Sequence, residues 1–406
     1  MNKRIAKLLS LTIALVLCMV MTVPAMAITM SGAGGAATVD VPVHLILDSN
    51  ITNYPTTTIT LTVTSTTPAE KTTGNFPVTA GIMEGVKIGE ATVAEGQVAG
   101  TVTFQTGTTP TASGTDQAVT EEGKFFLTQN LTVDFSGVTF TEPGVYRYTI
   151  TESGTMPTGV TLDTTNPRYI DVYVEYEATT TADGTTYADE LTVQGFVVHS
   201  GNGQVAASTT TGGTQADGSY TGEGKGGFEN HYADHDLTVG KTVTGNQGSR
   251  NKFFTVTVVI SGLQEGVALN VVTTDASNTG SETNPTTMTA DADGVATATF
   301  YLKHGQKVVI QNLPEGAHYT VTEVYEDYVP SVTATGAEVT SVKQEESLSY
   351  AVNGPADGIT ADTSITFINL KNGTIPTGVL LTIAPFVVLM VVGLAGAVLI
   401  LKKKRN

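Results

Sequence analysis

The sequence predicts an all-β protein: two tandem β-sandwiches between a leading signal segment and a trailing membrane helix. Three observations carry this. First, short runs alternate apolar with polar residues, as in Thr58-Ile59-Thr60-Leu61-Thr62-Val63-Thr64, Leu131-Thr132-Val133-Asp134-Phe135 and Thr255-Val256-Thr257-Val258-Val259-Ile260. Period-two patterning with β-branched residues marks strands buried on one face. Second, Gly and Asn punctuate these runs, and no long helix-period segment lies between the two ends. Third, marks of the first half recur in the second. Tyr148-Thr149-Ile150-Thr151-Glu152 returns as Tyr319-Thr320-Val321-Thr322-Glu323, each copy after a Pro-Gly or Pro-x-Gly turn (Pro143-Gly144; Pro314-Glu315-Gly316). Phe228-x-Asn230 returns as Phe367-x-Asn369. The repeat consists of whole domains, so it is not a solenoid.

The N-terminus carries Lys3, Arg4 and Lys7, an apolar stretch from Leu8 to Val23, and the small-residue sequence Ala25-Met26-Ala27. This is the pattern of a secretory signal peptide, residues 1–27, cleaved after Ala27. An uncleaved anchor helix is the competing reading, but the apolar run is short for a membrane span. The one cysteine, Cys18, lies inside this segment behind Leu17, where a lipoprotein signal would place a small residue. The mature chain then has no disulfide, thiol nucleophile or thiolate metal site.

Beyond the signal lies the first domain, residues 37–232, with a Gly-, Thr- and Ser-rich insertion at 200–224. The boundary falls near residues 231–236, between Phe228-Glu229-Asn230-His231-Tyr232 and Asp236-Leu237-Thr238-Val239. The second domain occupies residues 236–371. Between the two ends, residues 28–377 hold 13 basic against 38 acidic side chains, a net charge of −25. A surface this acidic excludes nucleic acid as a partner, since phosphate binding needs a basic face. It fits a soluble extracellular exterior.

The C-terminus has three parts: Ile375-Pro376-Thr377-Gly378, then 23 almost wholly apolar residues (379–401), then a basic tail (402–406) of Lys402, Lys403, Lys404 and Arg405 before Asn406. At about 1.5 Å per residue, the apolar stretch is long enough for a bilayer core of ~30 Å. A basic cluster stays on the cytoplasmic side. A plain anchor explains the helix and charges but not the Pro-Thr-Gly before them. The arrangement resembles a sortase sorting signal. Its Ile-Pro-Thr-Gly form lacks the residue that separates Pro from Thr in the common motif, and it resembles the signals of pilin backbones read by pilus-class sortases. The resemblance implies cleavage between Thr377 and Gly378, with Thr377 held as a thioester until an amine resolves it.

In the second domain, Leu237-Thr238-Val239-Gly240-Lys241-Thr242-Val243-Thr244-Gly245-Asn246, His304-Gly305-Gln306, Leu313-Pro314-Glu315-Gly316 and the Tyr-Thr-Val-Thr-Glu box resemble the Ig-like Cna B-type and streptococcal pilin isopeptide-linkage domains. The resemblance covers most of residues 37–371 and is looser in the first domain. It implies a spontaneous amide bond between Lys241 and Asn369, assisted by Glu323. Burial supplies the chemistry: desolvation lowers the lysine pKa and raises that of the acid, so a neutral amine attacks the amide carbon while the acid moves protons. The bond closes a 128-residue loop (241 to 369). If chain entropy acts as in a disulfide, that contributes at most about 5 kcal/mol.

The first domain keeps Glu152 and Asn230. Related domains carry the lysine about where His44 or Leu45 sits, and no lysine occurs between Lys7 and Lys71. Three readings stay open: no bond, substitution by Lys71, or another bond type through Asp40. The resemblance implies an acceptor lysine near the end of the first domain, and Lys225, in Gly224-Lys225-Gly226-Gly227, is the candidate. A solvated loop lysine is the competing reading.

Other constellations fail. Asp291-x-Asp293-Gly294 resembles the start of a calcium loop, but the twelfth position is Leu302 where an EF-hand needs glutamate. His231, Asp234, His235 and Asp236 are explained by a linker rather than a metal. No nucleophile–His–acid set or phosphate loop occurs. The expectation is a non-enzymatic, cofactor-free structural protein, secreted and anchored to the cell wall. It would be a pilus backbone subunit whose partners are sortase, neighbouring subunits or peptidoglycan, and transiently the membrane. A monomeric adhesin or minor pilin with a host target is the alternative.

Overall fold

The computed structural model describes residues 37–69, 72–73, 76–112, 123–181, 184–199, 227–274, 282–336, 340–374, 388–395, 397–398 and 401–402. Strands dominate it, and the fold is all-β. In the N-terminal half, one sheet carries strand Thr38–Leu47 at its centre, antiparallel to Phe125–Asp134 on one side and parallel to Phe228–Tyr232 on the other. The second sheet runs Gly184–His199, Arg168–Thr181, Gly144–Ser153, Thr57–Ser65, Gln97–Phe104. Side chains from both sheets fill one core, among them Val41, Val43, Leu45, Leu61, Val63, Tyr148 and Ile150.

The local reason is the alternation itself. In Thr57–Ser65, the residues Ile59, Leu61 and Val63 are buried while the intervening threonines lie toward solvent. A slip of one residue would turn the whole apolar set outward, so the core fixes the register.

The C-terminal half repeats the plan. Strand Asp234–Thr244 lies between Lys307–Pro314, antiparallel, and Thr363–Leu370, parallel. Facing it is the sheet Ala296–Leu302, Phe254–Ser261, His318–Val324, Ser349–Asn353, Thr340–Gln344. Leu237, Val239, Val256, Val258, Val321, Ile365 and Phe367 belong to its core. In both halves the first and last strands are therefore neighbours running the same way.

Only Ala233 separates the two sets of strands. The halves touch through backbone-like contacts. Thr56 N–H donates to Gln264 Oε1 at 2.8 Å and Gln264 Nε2 donates back to the Thr56 carbonyl at 3.0 Å. Asn53 Nδ2 donates to the Ala268 carbonyl at 3.0 Å. His235, from the segment read as a linker, contacts Glu315 at 3.1 Å. Asp291 closes a turn, its Oδ1 accepting from the N–H groups of Asp293 and Val295 at 3.0 Å each.

Residues 388–395 are helical, and among the described residues no helix is long and apolar enough to cross a membrane. The rest of the apolar stretch 379–401, the signal segment 1–27, the insertion 200–224, Lys71, Lys225 and the motif Ile375, Pro376, Thr377 and Gly378 lie wholly or largely outside the described residues.

Candidate cross-linking site

Strand periodicity places three polar side chains where apolar ones belong. Along Asp234–Thr244, Leu237, Val239, Lys241 and Val243 are buried. Along His318–Val324, Tyr319, Val321 and Glu323 are buried, and along Thr363–Leu370, so are Ile365, Phe367 and Asn369. Lys241 is 2% exposed, and Glu323 and Asn369 are 0% exposed. The parallel register sets Lys241 beside Phe367 and Val243 beside Asn369, so lysine and asparagine lie on adjacent strands, two positions apart on one face.

Lys241 Nζ lies 2.5 Å from Glu323 Oε1 and 4.2 Å from the centre of the Phe254 ring. The distance is that of an ion pair. Lys241 Nζ, both Glu323 oxygens and both Asn369 amide atoms are buried without a hydrogen-bond partner. Burial lowers the Lys241 ammonium to about 8, against the opposing pull of Glu323. Burial raises Glu323, against the opposing influence of Lys241 and Asn369. Both shifts favour the uncharged forms, because neither charge keeps its hydration in the core. The amine, the acid and the amide share one buried pocket in which the uncharged forms of the first two are favoured relative to water. Such a set can form a C–N bond from Nζ to the Asn369 side-chain carbon, with the acid passing protons and ammonia leaving.

The N-terminal half holds the corresponding acid and amide. Glu152 is 3% and Asn230 0% exposed. Asn230 Nδ2 donates to Glu152 Oε1 at 3.0 Å and to the His44 carbonyl at 3.3 Å, while Asn230 Oδ1 accepts from Asp163 N–H at 3.0 Å. Asp163 also pairs with Arg168, whose guanidinium stands 5.1 Å over the Phe228 ring. Burial raises the Glu152 carboxyl to about 7, with its bond to Asn230 opposing.

The lysine position in this half needs correction. Register pairs Val43 with Phe228 and Leu45 with Asn230, as Lys241 pairs with Phe367 and Val243 with Asn369. Val43, fully buried, therefore occupies the lysine position, not His44 or Leu45. The His44 side chain meets Thr128 Oγ1 at 2.8 Å and the Phe126 ring edge-on at 6.1 Å. Asp40 is exposed and bonded to Thr132.

Sequence reasoning missed the fully buried Arg147–Asp171 pair, with contacts of 2.7 and 2.9 Å between paired strands. The signal was a charged residue inside each of two apolar runs, Val145-Tyr146-Arg147-Tyr148 and Ile170-Asp171-Val172. It also missed Phe254 beneath the lysine, which reads as one more core aromatic.

Two tandem two-sheet sandwiches, one burying an amine, an acid and an amide and the other an acid and an amide, define a structural module with polar groups set into its cores. Comparison with known proteins gives the family. Residues 92–233 match the model of the Spy0128-like isopeptide containing domain, and residues 235–371 match that of a domain of unknown function. A pilin of Streptococcus pyogenes serotype M1 is 30% identical over 282 residues, spanning 68% of this chain and 72% of that protein. Among solved structures, the major pilin from Streptococcus pyogenes aligns with a TM-score of 0.48 at 21% identity, over 84% of this chain and 100% of that one. The major pilin T3.2 from the same species gives 0.48 at 19% identity, over 84% and 99%. The chain belongs to the pilin family. It is a structural subunit of a cell-surface pilus.

Proposed function

We propose that the chain is a pilus backbone subunit, built of two Ig-like Cna B-type domains (37–232 and 236–371), exported by its signal peptide and joined to its neighbours by a sortase. Thr377 is the residue the sortase holds, and Lys225 of the next subunit is the amine that releases it. The apolar segment 379–401 and its basic tail hold the precursor in the membrane until cleavage, and the last subunit passes to the cell wall. Glu323 assists a Lys241–Asn369 bond that locks the second domain, while the first domain carries none.

One observation supports the cross-link above others. Native structures leave few buried polar atoms unpaired, yet five here sit on three neighbouring side chains. A covalent amide from Nζ to the Asn369 side-chain carbon, with Nδ2 leaving as ammonia, replaces the buried amine and primary amide by one uncharged amide that a protonated Glu323 can pair with.

Intact mass of the mature protein tests it. The expected value is one ammonia below the sequence mass, returning to the full mass on Lys241→Ala. A full-mass wild type refutes the cross-link, and a deficit of two ammonias refutes the reading of the first domain. For assembly, co-expression with a pilus sortase is expected to give a high-mass ladder that Lys225→Ala abolishes. A product that stays monomeric favours a wall-anchored adhesin instead.

A further inference from the structure

The chain leaves the second domain through a strap that the cross-link does not explain. After strand Thr363–Leu370, residues 371–373 run along the loop that follows strand Asp234–Thr244. Lys371 N–H donates to the Thr244 carbonyl at 3.1 Å, and Gln247 N–H donates to the Lys371 carbonyl at 3.0 Å. The Asn246 side chain then takes both backbone groups of Gly373. Its Nδ2 donates to the Gly373 carbonyl at 2.9 Å, and its Oδ1 accepts from Gly373 N–H at 2.8 Å. One amide thus does for Gly373 what a neighbouring strand would do.

The loop is shaped for this approach. Gly245 has φ +89°, and a Cβ there would stand 2.2 Å from the Lys371 carbonyl oxygen. A Cβ on Gly373 would stand 2.5 Å from Gln247 Cγ. Gly245 is needed for the strap to close, because the clash there is with backbone at a positive φ.

The geometry points to Asn246 as a positioning residue for the sorting signal. The inference rests on reading Ile375-Pro376-Thr377-Gly378 as that signal. Only Thr374 separates the clamped Gly373 from Ile375. The signal is therefore tethered to the rigid domain at a fixed exit point, one residue away. A sortase that docks on the domain meets the motif there and has less chain entropy to remove on binding than it would on a loose tail.

The test uses the full-length chain in detergent, with a purified pilus sortase, as wild type, Asn246→Ala and Asn246→Asp. Hydrogen exchange at the Gly373 amide is expected to quicken at least tenfold in Asn246→Ala. Asn246→Asp keeps the acceptor for Gly373 N–H but loses the donor, so its rate falls between. The unfolding midpoint is expected to stay put, since Asn246 is exposed. For cleavage, KM is expected to rise three- to tenfold in Asn246→Ala at unchanged kcat.

Unchanged exchange at Gly373 refutes the clamp. Faster exchange with unchanged KM refutes the positioning role. Thr377→Ala separates the underlying reading: if cleavage survives it, the motif is not the sorting signal, and the exchange result still reports on the clamp alone.

Discussion

The two halves of this pilin bury the same acid and amide and differ at the strand position that would hold the amine. Val43 stands in the first where Lys241 stands in the second. Without a lysine, Asn230 and Glu152 satisfy each other and the backbone around them, leaving only Glu152 Oε2 unpaired in that pair. With a lysine, no atom of the amide or the acid finds a hydrogen bond. The difference teaches that the acid–amide pair is a stable core element in its own right. Under the proposed cross-link, the amine is what would convert it from a hydrogen-bonded pair into a reactive one. The matched isopeptide-domain span, 92–233, contains Glu152 and Asn230 but begins after Val43, so that match alone does not reveal the missing amine.

The largest expected effect comes from breaking the reactive site. Lys241→Ala removes the cross-link and leaves Glu323 and Asn369 buried. A loss of up to about 5 kcal/mol is expected from the loop closure. Chemical denaturation of wild type and variant measures it. Asn369→Ala is expected to lose a similar amount, because it removes the same bond.

The converse experiment builds the reactive site in the other half. Val43→Lys places an amine in register with the Glu152–Asn230 pair, and a second ammonia is expected to leave. The new loop stabilises by on the order of 3–5 kcal/mol, less any strain of the longer side chain. Adding Glu152→Gln is expected to hold the mass at one deficit. If Val43→Lys folds and never loses the second ammonia, the two sites differ in more than their amine.

A smaller effect comes from pH in the first half. The Glu152 carboxyl titrates at about 7 in the fold, against 4.5 for its ordinary value. Its protonated form is favoured by the native state, so the associated stability is complete below pH 4.5 and is lost as pH rises through about 7. The change is at most about 3 kcal/mol. Unfolding of the N-terminal half followed across that range is expected to show it, and Glu152→Gln is expected to flatten the profile.

Much of this was legible in the sequence, for a physical reason. A strand has only two faces, so a lysine, glutamate or asparagine in phase with flanking valines must point inward. Lys241, Glu323 and Asn369 could be read that way, and so could Glu152 and Asn230. The vacant lysine position could not. Val39, Val41, Val43 and Leu45 are all in phase, and only the parallel pairing of Val43 with Phe228 chooses among them. That pairing joins residues far apart in the chain, where local pattern is silent. Arg147 and Asp171 illustrate the same limit: each is conspicuous in its own strand, but nothing local names its partner. The Asn246 clamp was invisible because an asparagine after a glycine reads as an ordinary turn. For the two ends and the insertion, the sequence is the whole of the argument.

The single-residue passage at Ala233 has a consequence for the filament as a material. A hinge needs slack, and one residue bracketed by strands supplies almost none. The reciprocal bonds of Thr56 with Gln264, on a different pair of loops, add a second point of attachment. Two points of attachment resist bending where one would allow it. In an assembled pilus, curvature would then be taken up between subunits, so the length of one subunit would set the shortest length over which the fibre can bend.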